Sequence, residues 1–343
     1  MAQLLLKVDG DFVSNFVHGK VPWYAWLLLV IALLAVSSGA AIFELIDSVA
    51  EREYGAEEGV PPLLLASWRL QATSLVLFPL FIWQWFTASR ELKERFVEPR
   101  TMYILAGSGV FLTLHFGTWL MSLKLTTLTH SLLFVTAHPL VIVFGLWIIG
   151  KSVEKRKVLG VIIGFIGAAI AIIGGSSESG VSVFGNLLAF MGAVTYVGYL
   201  TAGRVLRRWL PIFLYAFPVT FISCILLMLW SLIVENSDFS FLEVYGVLGW
   251  ANIVFIPLIF LIAIGPGLLG HTGLNTCLRW MSPLIISVVM IAEPVIGSLL
   301  GWMLGVEDIP GGWTWVGGSL MLTGMVLVTI SSESMDYQSS ESE

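Results

Sequence analysis

Charge is what this sequence has least of. Only 12% of its 343 residues are Asp, Glu, Lys or Arg, against about 25% in an ordinary soluble domain. With 57% hydrophobic residues and a mean hydropathy of +0.91, the chain has too little polar surface for water and is expected in a lipid bilayer. Cysteine is almost absent. Cys224 and Cys277 both fall inside apolar runs, which excludes a disulfide framework and a zinc spacing and leaves small apolar filler as their reading. No basic stripe suggests nucleic acid. H-E-x-x-H, G-x-S-x-G and paired intramembrane aspartates are missing, and GLLGHTG at 267–273 has no nucleophile partner that spacing can name. Neither a cofactor nor a metal is implied. The net charge of −6 says little, because charge in a membrane protein is informative by side rather than by sum.

What is present is a series of long apolar runs. A helix needs about 20 apolar residues to cross the hydrocarbon, and ten segments qualify: 22–47, 62–86, 101–123, 128–149, 157–174, 183–204, 210–234, 247–276, 281–304 and 312–331. The first is expected to be a retained span rather than a cleaved signal. The eighth should bend, since it holds Pro257 and the Gly265-Pro266-Gly267 run, and backbone groups freed there must be buried in protein or face a cavity. Placing the N-terminus inside puts fourteen of the 17 Lys and Arg residues on the inner side. It leaves two, Arg52 and Lys124, outside, and one, Arg69, within a span. That asymmetry predicts ten spans with both termini cytoplasmic. Residues 1–21 form an N-terminal segment whose Leu5, Val8, Phe12 and Phe16 suit either a surface helix or a loose tail. Residues 332–343 read as a disordered acidic tail. Neither a transit peptide nor a retention signal is visible, so a plasma membrane is expected rather than an organelle membrane.

The chain also repeats itself. At a constant offset of 155, Lys124 meets Arg279, Ala137 meets Ala292, Pro139 meets Pro294, Trp147 meets Trp302 and Gly150 meets Gly305. Two further residues in the later loop bring Gly160 to Gly317 and Gly167 to Gly324. The expected fold is therefore an all-α polytopic membrane protein, ten transmembrane helices arranged as two inverted five-helix repeats, 22–174 and 183–331. Five is odd, so the halves run in opposite senses. Inverted repeats are the signature of alternating-access transporters with a midplane site between the halves. In the fifth helix, Gly160, Gly164 and Ala168 form a small-xxx-small stripe, read as packing.

These features resemble the EamA-like members of the drug/metabolite transporter superfamily. The resemblance rests on ten spans in two halves, the "AHP" and "AEP" helices at 137–139 and 292–294, and Arg69 in LLLASWRLQATSLVL, and it covers about residues 22–331. It implies a central cavity lined by helices 1–4 and 6–9, with helices 5 and 10 at the periphery. The family often has a Gly-Glu turn after the fourth helix of each half. Here the first half has Gly150-Lys151 and the second has Gly305-Val306-Glu307, which leaves the role of that loop open.

A charged group inside the membrane is costly and marks a functional site by default. The candidates for substrate binding or proton coupling are Glu293, His138, His115, His271, Arg69 and Glu44. Trp119, Tyr196, Tyr199 and Asn275, with Trp68, are expected cavity walls. His138 and Glu293 occupy equivalent positions before the matched prolines. Each either faces the cavity or satisfies a carbonyl that the proline frees. Arg69 and Glu44 lie at similar depth and could pair. One Arg and no Lys within the membrane disfavours doubly charged phosphate substrates, which need several cations. Amino acids, other zwitterions or amphipathic compounds fit better. The expected function is secondary transport of such a metabolite, with protons as a coupling partner. A channel, a non-transporting receptor on the same fold or a membrane-embedded enzyme are the alternatives.

Overall fold

The computed structural model describes residues 21–56, 58–175 and 179–339, with side chains as far as residue 328. Most of segment 1–21 and the last residues of the acidic tail lie outside them. The chain is a bundle of apolar helices. Nine among the described residues are long and apolar enough to cross a membrane, and a shorter apolar helix, Gly312–Val328, follows them. This is a multi-pass integral membrane protein of the all-α class.

The first span is two helices, α1 (Trp23–Ser37) and α2 (Gly39–Tyr54), separated by a turn at Ser38. Next come α3 (Pro62–Thr87), a short surface helix α4 (Arg90–Phe96) and α5 (Pro99–Leu123). The fourth span breaks into α6 (Leu128–Val135) and α7 (His138–Ile148), and is followed by α8 (Lys155–Gly175). The second half begins with α9 (Val183–Arg207) and α10 (Ile212–Val234). A loop with two short paired strands, β1 (Asp238–Phe241) and β2 (Gly246–Leu248), leads into α11 (Ile256–Ile262). A π-helical stretch, Ala263–Thr272, and α12 (Gly273–Cys277) complete that span. The ninth span is α13 (Pro283–Val289), a 3-10 turn at Met290–Ala292 and α14 (Glu293–Met303). Last is α15, Gly312–Ser339, whose backbone stays helical into the stretch read from sequence as a disordered tail. Below, the inner end is the one holding α4, and the outer end is the one holding loop 55–61.

The eighth span starts at Ile256 rather than at 247. The apolar residues before it serve a different purpose. Trp68 donates its ring N–H to the Gly246 carbonyl at 3.0 Å, Gln71 donates to the Val247 carbonyl at 2.8 Å, and Trp250 donates to Gln71 Oε1 at 2.8 Å. Hydropathy alone cannot separate an apolar loop sealed onto a helix from the start of a span. Trp68 therefore anchors a loop and is not a cavity wall.

Proline sets the two matched breaks. Pro139 and Pro294 each stand second in their helix, α7 and α14. There a missing N–H costs nothing, whereas inside a continuous helix it would strip a bond from the residue four before. Each span consequently restarts at mid-depth with His138 or Glu293 as its first residue. The interruption also brings the positive ends of two half-helices to the same level.

Helix packing follows the repeat. Span 2 packs on span 7, span 4 on span 9 and span 5 on α15, while span 1 against span 8 is mirrored by span 6 against span 3. An added Cβ on Gly160 would meet the Gly324 carbonyl at 2.8 Å, and one on Gly167 would meet the Gly317 carbonyl at 2.7 Å. Since Gly160 corresponds to Gly317 and Gly167 to Gly324, the contacts are crosswise. A two-fold relation between α8 and α15 requires that, because residue i must meet j′ when j meets i′. Gly164 instead faces Leu140 on α7.

A second crosswise pair ties α3 to α10. The amide oxygen of Gln84, near the inner end of α3, accepts from Phe213 and Leu214 N–H at 2.8 and 3.1 Å. The carboxylate of Glu235, just past the outer end of α10, accepts from Leu63 and Leu64 N–H at 2.7 and 2.9 Å. Each helix thus caps the N-terminus of the other, satisfying amides that no helix can satisfy internally. Glu307 does the same for α6, accepting from Leu128 and Thr129 N–H at 3.1 Å each. This answers the question of the departed Gly-Glu turn: in the second half its glutamate closes the outer end of the fourth span. Replacing Gln84 with Leu should lower stability by about 1–2 kcal/mol, measured as the unfolding midpoint in detergent, while Gln84→Glu should keep most of it.

Candidate functional site

A cavity lies at mid-depth between the halves. Its walls come from Val36 of α1, Arg69 of α3, His115 and Trp119 of α5, Val135, Thr136 and His138 of the fourth span, Tyr196 of α9, His271 of the π-helical stretch, and Met290 and Glu293 of the ninth. Its volume is about 20 Å³, room for one or two waters, since one water needs roughly 10–15 Å³ of this kind of space. No metabolite fits in it. The conformation is closed around the site.

Seven of the sequence candidates meet here: Glu293, His138, His115, His271, Arg69, Trp119 and Tyr196. Tyr196 is the hub. Its ring centroid lies 4.8 Å from His115, 5.0 Å from His138 and 6.0 Å from His271. His115 stacks on Trp119 at 6.1 Å and is oriented by its Nδ1, 3.0 Å from the Gly192 carbonyl.

Most buried polar atoms in proteins are hydrogen-bonded, yet this cavity is walled by atoms that are not. Among the described residues, Arg69 Nε, Trp119 Nε1, His138 Nδ1 and His271 Nδ1 have no hydrogen-bond partner. Arg69 is 1% exposed, and among the described residues its guanidinium finds no carboxylate within ion-pairing distance. It rests on aromatic faces instead, 4.3 Å from the ring centre of Phe116 and 5.7 Å from that of Phe43, where cation–π attraction holds it in place. Glu293 faces the same cavity from the first turn of α14, and no carbonyl freed by a proline holds either it or His138.

The expected Arg69–Glu44 pair does not form. Glu44 is not among the residues lining this cavity; it belongs to the outer end, near Asp47 and Lys124, where Lys124 Nζ bridges Asp47 at 2.6 Å and the Glu58 carbonyl at 2.8 Å. The two side chains are at similar depth, but depth along a helix does not fix which face a residue presents. His130 is a tie as well, its Nε2 2.7 Å from Thr314 Oγ1 on α15. Asn275 stands behind the site rather than in it: its amide donates to Tyr199 Oη and, at 2.7 Å, to the His271 carbonyl.

Tyr199 lines a second, smaller cavity of about 10 Å³ with Leu70, Thr73, Leu112, Phe116, Ala216, Thr220, Gly267 and Thr272. Arg69 and His271 belong to both cavities. Sequence reading missed Thr73, Thr220 and Thr272, because a threonine in a span is unremarkable until its face is known. The GPG run was the available signal for this part of the eighth span. Its π-helical winding places Gly267 against Thr73, where an added Cβ would come within 2.7 Å of the hydroxyl.

Both ends are shut. Toward the inside, Ser108 and Tyr215 hydroxyls meet at 2.7 Å, and Arg204 and Arg207, read from sequence as loop cations, are buried and donate to the Leu278, Asn275 and Leu210 carbonyls. Toward the outside, the Glu235 and Glu307 caps bind the second half to the first. Burial raises the pKa of both carboxyls, and the amide bonds they accept offset this only in part. The folded state therefore binds more protons than the unfolded chain, so their contribution falls as pH rises from about 4.3, the unfolded value. Relative to the Glu235→Gln, Glu307→Gln double variant, the wild type should lose unfolding midpoint as pH rises above about 4.3, read by thermal unfolding of both proteins on either side of that pH.

Among the described residues no group of three or more His, Cys, Asp or Glu could hold a metal ion. No curated protein matches the chain. A crystal structure of a protein shares 21% identity, with a TM-score of 0.60, covering 92% of this chain and 99% of that one; at that identity the likeness is one of fold. Residues 39–173 match the model of the EamA-like transporter family, a stretch running from the start of α2 nearly to the end of α8. Over that stretch, less than half of its length, the chain is similar to the EamA-like transporter family, the family its motifs resemble.

Proposed function

We propose that the protein is a secondary transporter that carries a small zwitterionic metabolite by alternating access, coupled to a proton at Glu293, with both termini in the cytoplasm. The observation that carries this reading is the central cavity. Among the described residues it holds one guanidinium and one carboxyl that feel each other's charge across the cavity but form no close ion pair, facing a common space walled by aromatic rings. A solute with an anionic and a cationic end satisfies both. Arg69 and the unpartnered Trp119 N–H would take the anionic end. Glu293 would take the cationic end or, between solutes, a proton. The crosswise contacts of the two halves support rocking about the site, and the closed cavity suits an occluded step of that cycle.

Amino-acid uptake into proteoliposomes with an imposed pH gradient tests the coupling. Wild-type uptake should follow the gradient. Glu293→Gln should abolish that dependence while leaving exchange of solute down its own gradient measurable. Unchanged pH dependence in the variant would remove Glu293 from the coupling step.

A further inference from the structure

The central cavity does not account for Arg69 completely. The same guanidinium also walls the second cavity, which lies on the other side of it between α3, α5, α10 and the π-helical stretch. Arg69 and His271 are the partition between the two spaces. Ala216 is the fifth residue of α10, so at 1.5 Å per residue it lies about 6 Å from the inner end of that helix. The second cavity is thus displaced toward the inner end, whereas Trp119 places the first toward the outer end of α5.

We infer that the second cavity is the next station for the anionic group of the solute, on the inward branch of its path, and that Arg69 passes that group from one station to the other. This rests on the transport reading above. Three features of the cavity suit an anion. No carboxylate lines it. Besides Arg69 and the His271 ring, the polar groups are hydroxyls; those of Thr73 and Thr272 donate to the Arg69 and Gly267 carbonyls, which leaves Tyr199 and Thr220 as the hydroxyl donors. Tyr199 Oη already accepts from Asn275, which leaves its own proton available to donate. Arg69 can serve both stations because, among the described residues, no ion pair fixes it and its Nε has no acceptor, while the faces of Phe116 and Phe43 that hold it are less directional than a bidentate salt bridge. Asn275, which binds both Tyr199 and the carbonyl of His271, positions the station without entering it.

Cysteine labelling tests this without knowing the solute. In a chain carrying Cys224→Ala and Cys277→Ala, Ala216→Cys and Thr220→Cys each place a thiol on the second cavity, and Val36→Cys places one on the first. Membrane-impermeant methanethiosulfonates, one anionic and one cationic, are added to either face of sealed vesicles. Ala216→Cys and Thr220→Cys should react only from the face that carries the 88–98 loop, and at least tenfold faster with the anionic reagent. Adding Arg69→Gln should erase that preference. Labelling from the opposite face, no labelling from either face in protein that still carries amino acids, or equal rates for the two reagents with Arg69 intact would each overturn the proposal. Uptake is measured in the same vesicles. Absence of uptake with charge-selective labelling intact would count against the transport reading and leave the anion station standing, so the two failures are distinguishable.

Discussion

Arg69→Gln should abolish solute uptake and leave the folded protein as stable as before, or more so. The two outcomes together separate a substrate clamp from a structural tie. A tie holds the fold, so cutting it lowers the unfolding midpoint. Arg69 instead is a buried cation whose Nε has no acceptor and which, among the described residues, makes no close ion pair, and desolvating such a charge costs the fold free energy that ring faces and a more distant carboxyl offset less than a close pair would. Its neutral replacement keeps much of the stem packing on Phe116 and removes that cost. Binding is affected in the opposite direction. Truncating one member of a buried charge pair in a complex costs about 2–5 kcal/mol, and every 1.4 kcal/mol is tenfold in affinity, so the loss should be at least about 30-fold. Arg69→Lys should fall between the two. It keeps the charge but not the planar fork that grips a carboxylate at two points and stacks on an aromatic ring. Uptake in proteoliposomes and unfolding in detergent, run on the same three preparations, give the answer. A large fall in unfolding midpoint for Arg69→Gln would make this residue part of the scaffold.

The second large effect lies far from the cavity. Gly167→Leu should prevent the protein from accumulating in folded form. A Cβ at 167 would stand 2.5 Å from the Met321 nitrogen and 2.7 Å from the Gly317 carbonyl. Both are backbone atoms, which cannot swing aside as a side chain can. The two helices would have to separate, opening the contact along α8 and α15 on which close packing in lipid depends. Overpacking of a core costs about 1–3 kcal/mol when side chains can adjust, and here they cannot, so the cost should exceed that range. Gly145→Ala is the matched control. It also lies in a helix, but nothing stands within 4 Å of its added Cβ, and the gain in helix propensity should make it neutral or slightly stabilising. Yield of monodisperse protein after detergent extraction distinguishes them. Equal yields would mean that α8 and α15 do not pack as described.

Much of this site was legible in the sequence, for a physical reason. A bilayer makes polar atoms expensive, so the few that remain within the spans announce themselves, and seven of them line the cavity. The prolines told where helices restart, and the repeat told that His138 and Glu293 restart equivalent helices. Orientation around the helix axis was not legible. Glu44 and Arg69 share a depth but not a face, and Trp68 turns outward to hold a loop that hydropathy had assigned to the eighth span. Contacts made by helix ends were also hidden. Nothing in the local sequence of Gln84 or Glu235 says that each caps the helix carrying the other, because that relation exists only once the two halves are packed. The threonines of the second cavity were invisible for the same reason.

The central claim is that one site, walled by Arg69 and Glu293, opens alternately to the two sides. Counterflow tests it most directly. Proteoliposomes are preloaded with an unlabelled amino acid that the wild type carries, diluted into a trace of the same compound with label, and sampled over time. Alternating access predicts that preloading accelerates entry of label and drives a transient accumulation above its outside concentration, and that Arg69→Gln abolishes both. Entry of label that is non-saturable and indifferent to preloading would contradict the account and describe a channel.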